Sequence, residues 1–428
     1  MTLLSPVDGR VHEASATATA GRGHRGVGVD WHEARRIAWA LGAAAPVRIE
    51  TVDITSASGR VATDVARALA PLPGFDSAAM DGWALGPGDG PWRIGDAIPM
   101  GSAPDPVVLA AGTARPLTTG GPVPAGTHAV LRSEDGVADG GLLRATRVPS
   151  PGAHIRRAGE ESAGGEVLVR SGDLLTPPRC ALLAAGGHDA VRVRARPRVA
   201  ALTLGDEVHG RGVPRPGSVR DVFGPSVPPI IVAFGAEAGP ARAVPDDLDG
   251  TVAALEEAIG GLGGPRADIV VTTGGTAHGT GDHLQAALGL VGARIVIDGV
   301  AVRPGHPVML AVLPDGRVVL GLPGNPLAGL LCLVALGGPL LAGALGRPLP
   351  ALGTAVAADA LPNPTRSTRL VACVRADSGD AAGPARVLAL GRQDSAMLRG
   401  LASAEAVAVV PPGGVAADET VETLPLPW

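Results

Sequence analysis

Three short apolar runs lie between residues 268 and 322, at 268–273, 294–298 and 317–322. Each has the length of a buried β-strand, and the β-branched and leucine residues in them are typical of strands covered on both faces. The first run is followed by glycines and then by an apolar periodicity over 284–291 that predicts a helix. The third precedes Pro326, where the first turn of a helix accepts proline. The pattern predicts a layered α/β domain over 197–346 with a mostly parallel sheet.

The turns that follow the first and third runs predict a phosphate site. Glycine lets the backbone approach an anion, and free N–H groups at the start of a helix point towards it. If the two strands are parallel neighbours, both turns open on one edge of the sheet, where α/β folds bind ligands. The substrate-binding residues of this hypothesis are Gly274, Gly275, Gly279, Pro323, Gly324, Asn325 and Pro326.

A glycine turn alone is more often structural than functional, and 63 of the 428 residues are glycine. The phosphate hypothesis therefore depends on the two turns together and on the cationic residues at 303–307 between them. The chain has no G-x-x-x-x-G-K-[ST] motif, and no G-x-G-x-x-G that opens a helix after a strand. These absences argue against an ordinary P-loop or dinucleotide enzyme.

The rest of the hydrophobic pattern divides the chain into further units. Residues 1–27 lack periodicity and predict a mobile tail. Asp30, with Glu33 three residues later, predicts a helix cap before an amphipathic helix. Short strands at 82–85, 92–94, 129–132 and 142–145, between Gly/Pro turns, predict a small all-β domain over 51–148. Segments 28–50 and 149–196 predict one discontinuous connecting domain, and 350–428 a C-terminal β-barrel, with a sandwich as the alternative.

Residues 327–346 are uncharged and long enough to cross a bilayer. Five glycines, Pro339 and the strand and turn just before them favour a buried helix over 326–336 instead. We expect this helix to break at 337–339 and a second short helix to follow. The N-terminus lacks the pattern of a signal peptide, so the sequence predicts a soluble cytoplasmic protein without a membrane span.

The charge composition restricts the ligands. The net charge is −5, so no overall field attracts nucleic acid or an anionic membrane. The sequence contains no lysine, and every fixed side-chain cation is therefore an arginine. Cys180, Cys332 and Cys373 are isolated, which is typical of buried apolar residues in a reducing compartment.

Residues 73–84, Pro-Gly-Phe-Asp-Ser-Ala-Ala-Met-Asp-Gly-Trp-Ala, resemble the P-x-F-D-x-S-A-M-D-G-[YW]-A signature of the molybdopterin molybdenumtransferase family, which is related to the C-terminal domain of gephyrin. Further similar motifs follow in the family's order at 119–126, 159–160, 196–199, 205–207, 273–275, 303–307 and 321–326. The resemblance implies a multidomain protein with a central doubly wound molybdopterin-binding α/β domain and small flanking β domains. It also implies a homodimer, with dimerisation through the discontinuous domain.

The activity that the resemblance implies is a step of molybdenum cofactor biosynthesis. Molybdate is inserted into adenylylated molybdopterin with release of AMP, assisted by Mg²⁺. The implied partners are the pterin substrate and other proteins of molybdenum cofactor biosynthesis.

Four residues match functional positions of the family. Asp81 and Glu207 match acids of the active cleft, Asp282 the carboxylate that closes the G-G-x-S-x-G-x-x-D loop, and Thr119 the threonine of the T-G-[AG] turn. The resemblance makes the three acids catalytic residues and metal ligands, and Thr119 a substrate-binding residue. Mg²⁺ prefers one or two carboxylates together with phosphate oxygens and water. Each acid has the alternative of a cap or turn former, and Asp282 that of a helix N-cap.

The chain departs from the family where charge matters. The family's K-P-G-K-P is here Arg303-Pro-Gly-His-Pro307, and the loop serine is Ala277. Arg303 can still clamp phosphate or molybdate in a forked geometry. His306 is cationic only part of the time near neutral pH. Both are predicted catalytic residues, and Asp221 keeps the aspartate of the family's D-S-N turn.

These departures leave two alternatives to the enzyme. One is a binding or carrier protein of the same fold, which holds molybdopterin or the molybdenum cofactor without catalysis. The other is a scaffold that acts through its dimer interface alone.

Overall fold

The computed structural model describes residues 28–105, 107–261, 266–276, 283–376 and 384–428. The tail predicted at 1–27 lies outside these residues. Before residue 197 the chain forms helices α1 (Trp31–Ala44) and α2 (Pro177–Ala185), 3₁₀ turns at Ile54–Ser56 and Ser133–Asp135, and strands β1 (Ile49–Asp53), β2 (Ala66–Arg67), β3 (Ser77–Ala78), β4 (Gly82–Leu85), β5 (Trp92–Ile94), β6 (Thr113–Leu117), β7 (Ala129–Arg132), β8 (Gly136–Asp139), β9 (Leu142–Ala145), β10 (Ile155–Arg156), β11 (Val167–Val169) and β12 (Ala190–Arg194).

Six of these strands form one sheet, in the order β7-β4-β6-β5-β9-β8. The strands predicted at 82–85, 92–94, 129–132 and 142–145 are confirmed as β4, β5, β7 and β9. The other six strands form three antiparallel pairs, β1 with β12, β2 with β11 and β3 with β10. Residues 49–78 thus pair with residues 155–194, and the domain boundaries remain a prediction.

Asp30 caps helix α1, as predicted. Its Oδ1 accepts hydrogen bonds from the backbone N–H groups of His32 at 3.0 Å and Glu33 at 3.1 Å. Glu33 forms an ion pair with Arg36 at 2.5 Å instead of returning to the cap. The first turn is therefore stabilised from one side only.

The elements of the layered domain lie between residues 198 and 344, within the predicted range 197–346. Its elements are helices α3 (Val227–Ala233), α4 (Leu248–Gly260), α5 (Leu284–Leu290), α6 (Pro326–Cys332) and α7 (Gly338–Ala344), a π-helical segment at Leu333–Gly337, and strands β13 (Arg198–Leu204), β14 (Val208–His209), β15 (Val219–Arg220), β16 (Glu237–Ala238), β17 (Arg242–Val244), β18 (Ile269–Thr273), β19 (Arg294–Asp298), β20 (Val302–Arg303), β21 (Met309–Val312) and β22 (Val318–Leu322).

The central sheet has the order β16-β13-β18-β22-β21-β19, with β17 also paired to β13. The pairs of β13 with β16, β17 and β18 and of β18 with β22 are parallel. Strand β21 is antiparallel to both β22 and β19. The mostly parallel sheet and its three predicted strands are confirmed. Strand β21, which the pattern did not predict, is an antiparallel strand inserted between β22 and the edge strand β19.

Helices cover both faces of this sheet. Val271 of β18 belongs to the buried cluster that contains Leu331 of α6. The preceding residue, Val270, points to the other face and belongs to the cluster that contains Leu255 from α4 and Leu288 from α5. Because neighbouring residues of a strand point to opposite faces, the apolar run fills two cores at once. The doubly wound architecture is confirmed.

The apolar segment after β22 is one continuous helical stretch, Pro326–Ala344. By length and composition it is the one helix of the described residues that could cross a membrane, and 94% of its most apolar window is buried inside the structure. The predicted break at 337–339 is wrong. The π-helical segment lies just before Pro339. Such a widened turn changes the hydrogen-bond register, so the helix continues past a residue that lacks an N–H.

Helices α1 and α7 pack so closely that their backbones are in contact. A Cβ atom built on Gly42 would lie 1.9 Å from the carbonyl oxygen of Leu340, and one built on Gly343 would lie 2.1 Å from that of Trp39. Both glycines are thus required by the close approach of the two helices. Trp31, which is 1% exposed, anchors α1 in the core of the layered domain.

The C-terminal segment contains helix α8 (Arg399–Ala402) and strands β23 (Gly353–Ala357), β24 (Thr368–Ala376), β25 (Arg386–Ala389), β26 (Ala406–Val410) and β27 (Thr420–Leu424). The strands pair in the order β24-β25-β23-β27-β26, and β26 pairs with β24 again. This ring of five strands confirms the predicted barrel. Strand β20 adds to β24 in parallel and connects the barrel to the layered domain.

The three cysteines are free thiols. Cys332 and Cys373 are buried, as predicted, and burial raises their pKa values to about 12 and about 11. Both therefore remain protonated and act as apolar residues at neutral pH.

Candidate functional site

The two glycine turns lie side by side. Strands β18 and β22 pair in parallel from Ile269 and Val318 to Thr273 and Leu322, so both turns begin at the same edge. The N–H of Gly274 donates to the carbonyl oxygen of Leu322 at 3.0 Å. The prediction that the turns open together is confirmed.

A cavity of about 580 Å³ opens at this edge. Seven predicted site residues line it, and these are Glu207, Gly274, Gly275, Pro323, Gly324, Asn325 and Pro326. The cavity is also lined by Thr203, Leu204, Gly205, Val208, Val219, Arg220, Asp221, Val222, Phe223, Asp246, Thr273, Thr276, Pro307 and Ala396.

Backbone N–H groups are the principal donors at the turns. Gly274 and Gly275 have φ values of +87° and +66°, which favour glycine. Within the described residues, the N–H groups of Gly275, Gly324 and Asn325 donate to no protein acceptor. Such donors around a concave turn suit an anion.

The N-terminal end of helix α6 contributes fewer free N–H donors than predicted. Pro326 has no N–H, and the N–H of Ala328 donates at 3.2 Å to the carbonyl oxygen of Ser395 from the C-terminal segment. That of Gly329 donates to the carbonyl oxygen of Asn325 at 2.8 Å. In the first turn of the helix, the N–H of Leu327 is the one that has no acceptor among the described residues.

A buried hydroxyl also lines the cavity. Thr273 is 3% exposed, and its Oγ1 has no hydrogen-bond partner among the described residues. A buried hydroxyl without a partner is costly. A ligand oxygen in the cavity would supply the missing partner.

Glu207 brings a carboxylate to the cavity. Gly205 has a φ of +128°, and a Cβ atom there would lie 2.7 Å from Oε2 of Glu207, so glycine lets this side chain fold back over the turn. Among the described residues the carboxylate has no hydrogen bond or ion pair with the protein. By contrast, Oδ1 of Asp221 accepts from the N–H groups of Phe223 and Gly224, both at 2.9 Å. Glu207 is therefore free to bind a cation.

Arg220 is the arginine among the described residues that line the cavity. It ends strand β15, and its Nη1 donates to the carbonyl oxygen of His209 at 3.1 Å. Arg220 was not predicted from the sequence, although its position directly before Asp221 of the family turn was a usable signal.

Arg303 and His306 are both exposed and do not line the cavity. Arg303 ends β20, beside β24 of the barrel. Nδ1 of His306 lies 2.7 Å from the carbonyl oxygen of Val300, with which it shares a hydrogen bond. Pro307 is the residue of this motif that reaches the cavity. The catalytic roles of Arg303 and His306 remain predictions.

Asp81 and Thr119 form a second predicted group. Asp81 precedes β4, Thr119 follows β6, and the antiparallel pairing brings them together. Oδ1 of Asp81 accepts from the N–H of Thr119 at 2.6 Å and from its Oγ1 at 2.9 Å. Neither residue lines the cavity of the same chain.

The predicted three-acid metal site is not assembled within the described residues, where no group of three or more His, Cys, Asp or Glu side chains could hold a metal ion. Asp282 and Gly279 lie in the segment 277–282, outside the described residues. The metal set Asp81, Glu207 and Asp282 remains a prediction.

The hydrogen bonds of Asp81 lead to a pH prediction. The N–H and then the hydroxyl of Thr119 hold the pKa of Asp81 below its ordinary value. Because the folded pKa is depressed, the stabilisation is present above the unfolded pKa and is lost as pH falls through the folded value. Thr119→Val keeps the N–H but removes the hydroxyl, so we expect it to raise the Asp81 midpoint partway towards the ordinary value. Carbon-detected NMR titration of the carboxyl group measures both midpoints, and equal midpoints would contradict the pairing.

Three family models match successive parts of the chain. "MoeA N-terminal region (domain I and II)" matches residues 29–187, "Probable molybdopterin binding domain" matches residues 200–343, and "MoeA C-terminal region (domain IV)" matches residues 354–426. The second of these ranges includes every residue that lines the cavity except Ala396.

Curated relatives carry one name. The molybdopterin molybdenumtransferase 2 of Mycobacterium tuberculosis is 31% identical over 317 residues, which are 70% of this chain and 76% of the relative. The molybdopterin molybdenumtransferase of Synechococcus elongatus is 30% identical over 66% of this chain and 72% of its own length. For the Staphylococcus aureus enzyme, also 30% identical, the match covers 60% of this chain and 62% of the relative.

The fold is shared with a molybdopterin biosynthesis MoeA protein from Pyrococcus horikoshii. Its crystal structure gives a TM-score of 0.74 at 25% identity, covering 94% of this chain and 99% of that one. The chain belongs to the molybdopterin molybdenumtransferase family.

Proposed function

We propose that this protein inserts molybdate into adenylylated molybdopterin with release of AMP, as a step of molybdenum cofactor biosynthesis. The observation that carries the proposal is the cavity at the edge of β18 and β22, inside the region that matches the molybdopterin-binding family model. The names of the curated relatives support the same reaction.

The chain's own groups suit a phosphorylated pterin. The unpaired N–H groups of Gly275, Gly324 and Asn325 bind phosphate oxygens without bringing in a charge that must be desolvated. Arg220 adds a cation at the mouth of the cavity. Its planar guanidinium orients the phosphate by two parallel hydrogen bonds. Thr273 satisfies its buried hydroxyl on the same ligand.

Glu207 fits a role in holding Mg²⁺. An unpaired carboxylate together with phosphate oxygens and water is the donor set that Mg²⁺ uses beside phosphorylated substrates. When bound, the ion supplies charge neutralisation to the pyrophosphate and the incoming molybdate. Asp282 is the second proposed ligand, and Asp81 the third.

A homodimer is the arrangement that reconciles the two groups of predicted residues. Asp81 and Thr119 are exposed, and they do not line the cavity of their own chain. We infer that Asp81 and Thr119 of a second copy face the cavity of the first across a two-fold axis. Arg303 and His306, also exposed, are proposed to bind molybdate or phosphate at the rim.

Three further predictions complete the proposal. The domain division is proposed as before, with residues 28–50 and 149–196 as the connecting and dimerisation domain. A cytoplasmic location is proposed because, in the part of the chain that the structure describes, the one helix long enough to span a membrane is mostly buried. Contacts with other proteins of molybdenum cofactor biosynthesis follow from a reactive substrate that benefits from direct transfer.

The decisive experiment measures AMP release. Purified protein is mixed with adenylylated molybdopterin, molybdate and Mg²⁺, and AMP is quantified by chromatography. We expect AMP to appear only when both molybdate and Mg²⁺ are present, because the two ions complete the reacting site. Omission of each ion in turn provides the matched control.

The same experiment separates the alternatives. A binding or carrier protein would retain the pterin, detected by its fluorescence and mass, but release no AMP. This alternative is supported by the loss of both family lysines at Arg303 and His306. A scaffold would bind neither pterin nor its nucleotide. Absence of metal-dependent AMP release from protein that binds the pterin would overturn the enzyme and favour the carrier.

A further inference from the structure

Four arginines converge at a junction remote from the cavity. Arg60 follows the 3₁₀ turn at Ile54–Ser56, and Arg194 is the last residue of β12. Arg196 lies two residues after Arg194, and Arg347 follows α7. Nη2 of Arg60 donates to the carbonyl oxygen of Arg194 at 2.7 Å. Nη2 of Arg347 donates to the carbonyl oxygen of Gly59 at 2.6 Å, which connects the segment after α7 with the segment that follows the 3₁₀ turn at Ile54–Ser56. None of the four lines the cavity.

Positive charge exceeds negative charge in this group, called the arginine cluster below. Glu50 pairs with Arg60, and it is the carboxylate that forms an ion pair with the cluster among the described residues. Burial lowers the pKa of Arg347, and the charges of Arg196 and Arg60 lower it further. Because these like charges repel one another, the cluster destabilises the fold unless an anion is bound.

Two donors of the cluster have no acceptor. Nε of Arg60 and Nη1 of Arg194 are buried and form no hydrogen bond within the described residues. Arg60 is only 8% exposed, so solvent does not satisfy its Nε. A buried charged donor without a partner carries a penalty that a bound acceptor would remove.

The cluster is also accessible. Arg194 and Arg347 are half-buried, whereas Arg196 is exposed, and its side chain forms no hydrogen bond or ion pair among the described residues. The Arg196 guanidinium is therefore available to an anion from solvent. The cluster thus combines buried donors that lack an acceptor with an exposed arginine that has no partner among the described residues.

We propose that Arg60, Arg194, Arg196 and Arg347 form a second binding site for a tetrahedral oxyanion, of the size and charge of a phosphate group. Guanidinium groups match such oxygens in paired hydrogen bonds. The four arginines and Glu50 together carry a net charge of about +3, which a bound dianion would reduce to about +1. The anion is either free in solution or the terminal phosphate of a larger molecule.

The site has a structural consequence. Its ligands come from the β1–β12 pair and from the end of α7, so a bound anion links two units of the protein. Binding to the folded state alone raises the apparent stability in proportion to the logarithm of ligand concentration. We expect phosphate to raise the Tm of the full chain at constant ionic strength.

Equilibrium dialysis with radiolabelled inorganic phosphate tests the site. Arg196→Gln is the test variant, because its side chain has no protein partner to lose. Arg144→Gln is the matched control for net charge, because Arg144 is an exposed residue of β9 whose side chain forms no hydrogen bond or ion pair among the described residues. We expect Arg196→Gln to weaken phosphate binding at the arginine cluster roughly tenfold and to abolish the phosphate-induced rise in Tm. Arg144→Gln should bind phosphate as the wild type does and keep the rise in Tm.

Two further measurements complete the experiment. Arg220→Gln is expected to weaken phosphate binding in the cavity. Because the two sites are separate, Arg196→Gln should still weaken phosphate binding at the arginine cluster when it is combined with Arg220→Gln. Competition by AMP would identify a phosphomonoester as a ligand, and its failure would leave the free ion. No saturable phosphate binding, or equal binding by wild type, Arg196→Gln and Arg347→Lys, would overturn the proposal.

Discussion

Gly343→Val is expected to lower the Tm of the layered domain by roughly 6–12 °C, corresponding to a loss of about 3 kcal/mol. A Cβ atom at this position would lie 2.1 Å from the carbonyl oxygen of Trp39. This distance is far below van der Waals contact, and the obstacle is backbone, so helices α1 and α7 must separate. Separation exposes apolar surface around Trp31 in the core of the layered domain. Thermal unfolding followed by circular dichroism measures the change.

Gly289→Ala is the matched control. Gly289 also lies within a helix, α5, but a Cβ atom there would meet nothing within 4 Å. Alanine in that position should stabilise the protein slightly, by up to about 1 kcal/mol, because it lowers the backbone entropy of the unfolded chain. If both variants unfold at the wild-type temperature, the close packing of α1 on α7 is wrong.

Glu207→Gln is expected to lower molybdate-dependent AMP release by about 100-fold or more while substrate binding is largely kept. The amide retains the shape of the side chain but loses the charge that binds the metal ion. Backbone donors at Gly275, Gly324 and Asn325 still hold the phosphates. Initial rates at saturating substrate, together with pterin binding by fluorescence, separate the two effects. Glu256→Gln, at an exposed position of α4, controls for the loss of one negative charge.

The proposed dimer makes a second result expected from this variant. Glu207→Gln and Asp81→Asn are each inactive if each site combines the Glu207 of one subunit with the Asp81 of the other. Subunit exchange between them then creates dimers with one intact site, and roughly a quarter of wild-type activity should return. No recovery after verified exchange would place both acids in a site within one chain, or would exclude one of them from catalysis.

The sequence was sufficient wherever one local rule decided the structure. The apolar runs over 268–273 and 317–322 could only be buried strands, and the glycines after them could only be tight turns, so the edge that holds the cavity was predictable. Asp30 was predictable as a cap because the acceptor and its donors are three residues apart. The failure at 337–339 has a local reason too, since proline usually ends a helix and a π-helical segment is a rare exception.

Tertiary structure decided the features that join distant segments. Strand β21 entered the sheet antiparallel between β22 and β19, because the direction of a strand depends on its connections and neighbours and not on its own residues. Arg220 lines the cavity, whereas Arg303 and His306 do not. The position of each side chain depends on how the backbone around it folds against the rest of the protein. Local sequence determined the strands, the glycine turns and the types of ligand group. Only the packing of residues far apart in the chain determined which of those groups meet, because side-chain positions depend on contacts that no local pattern encodes.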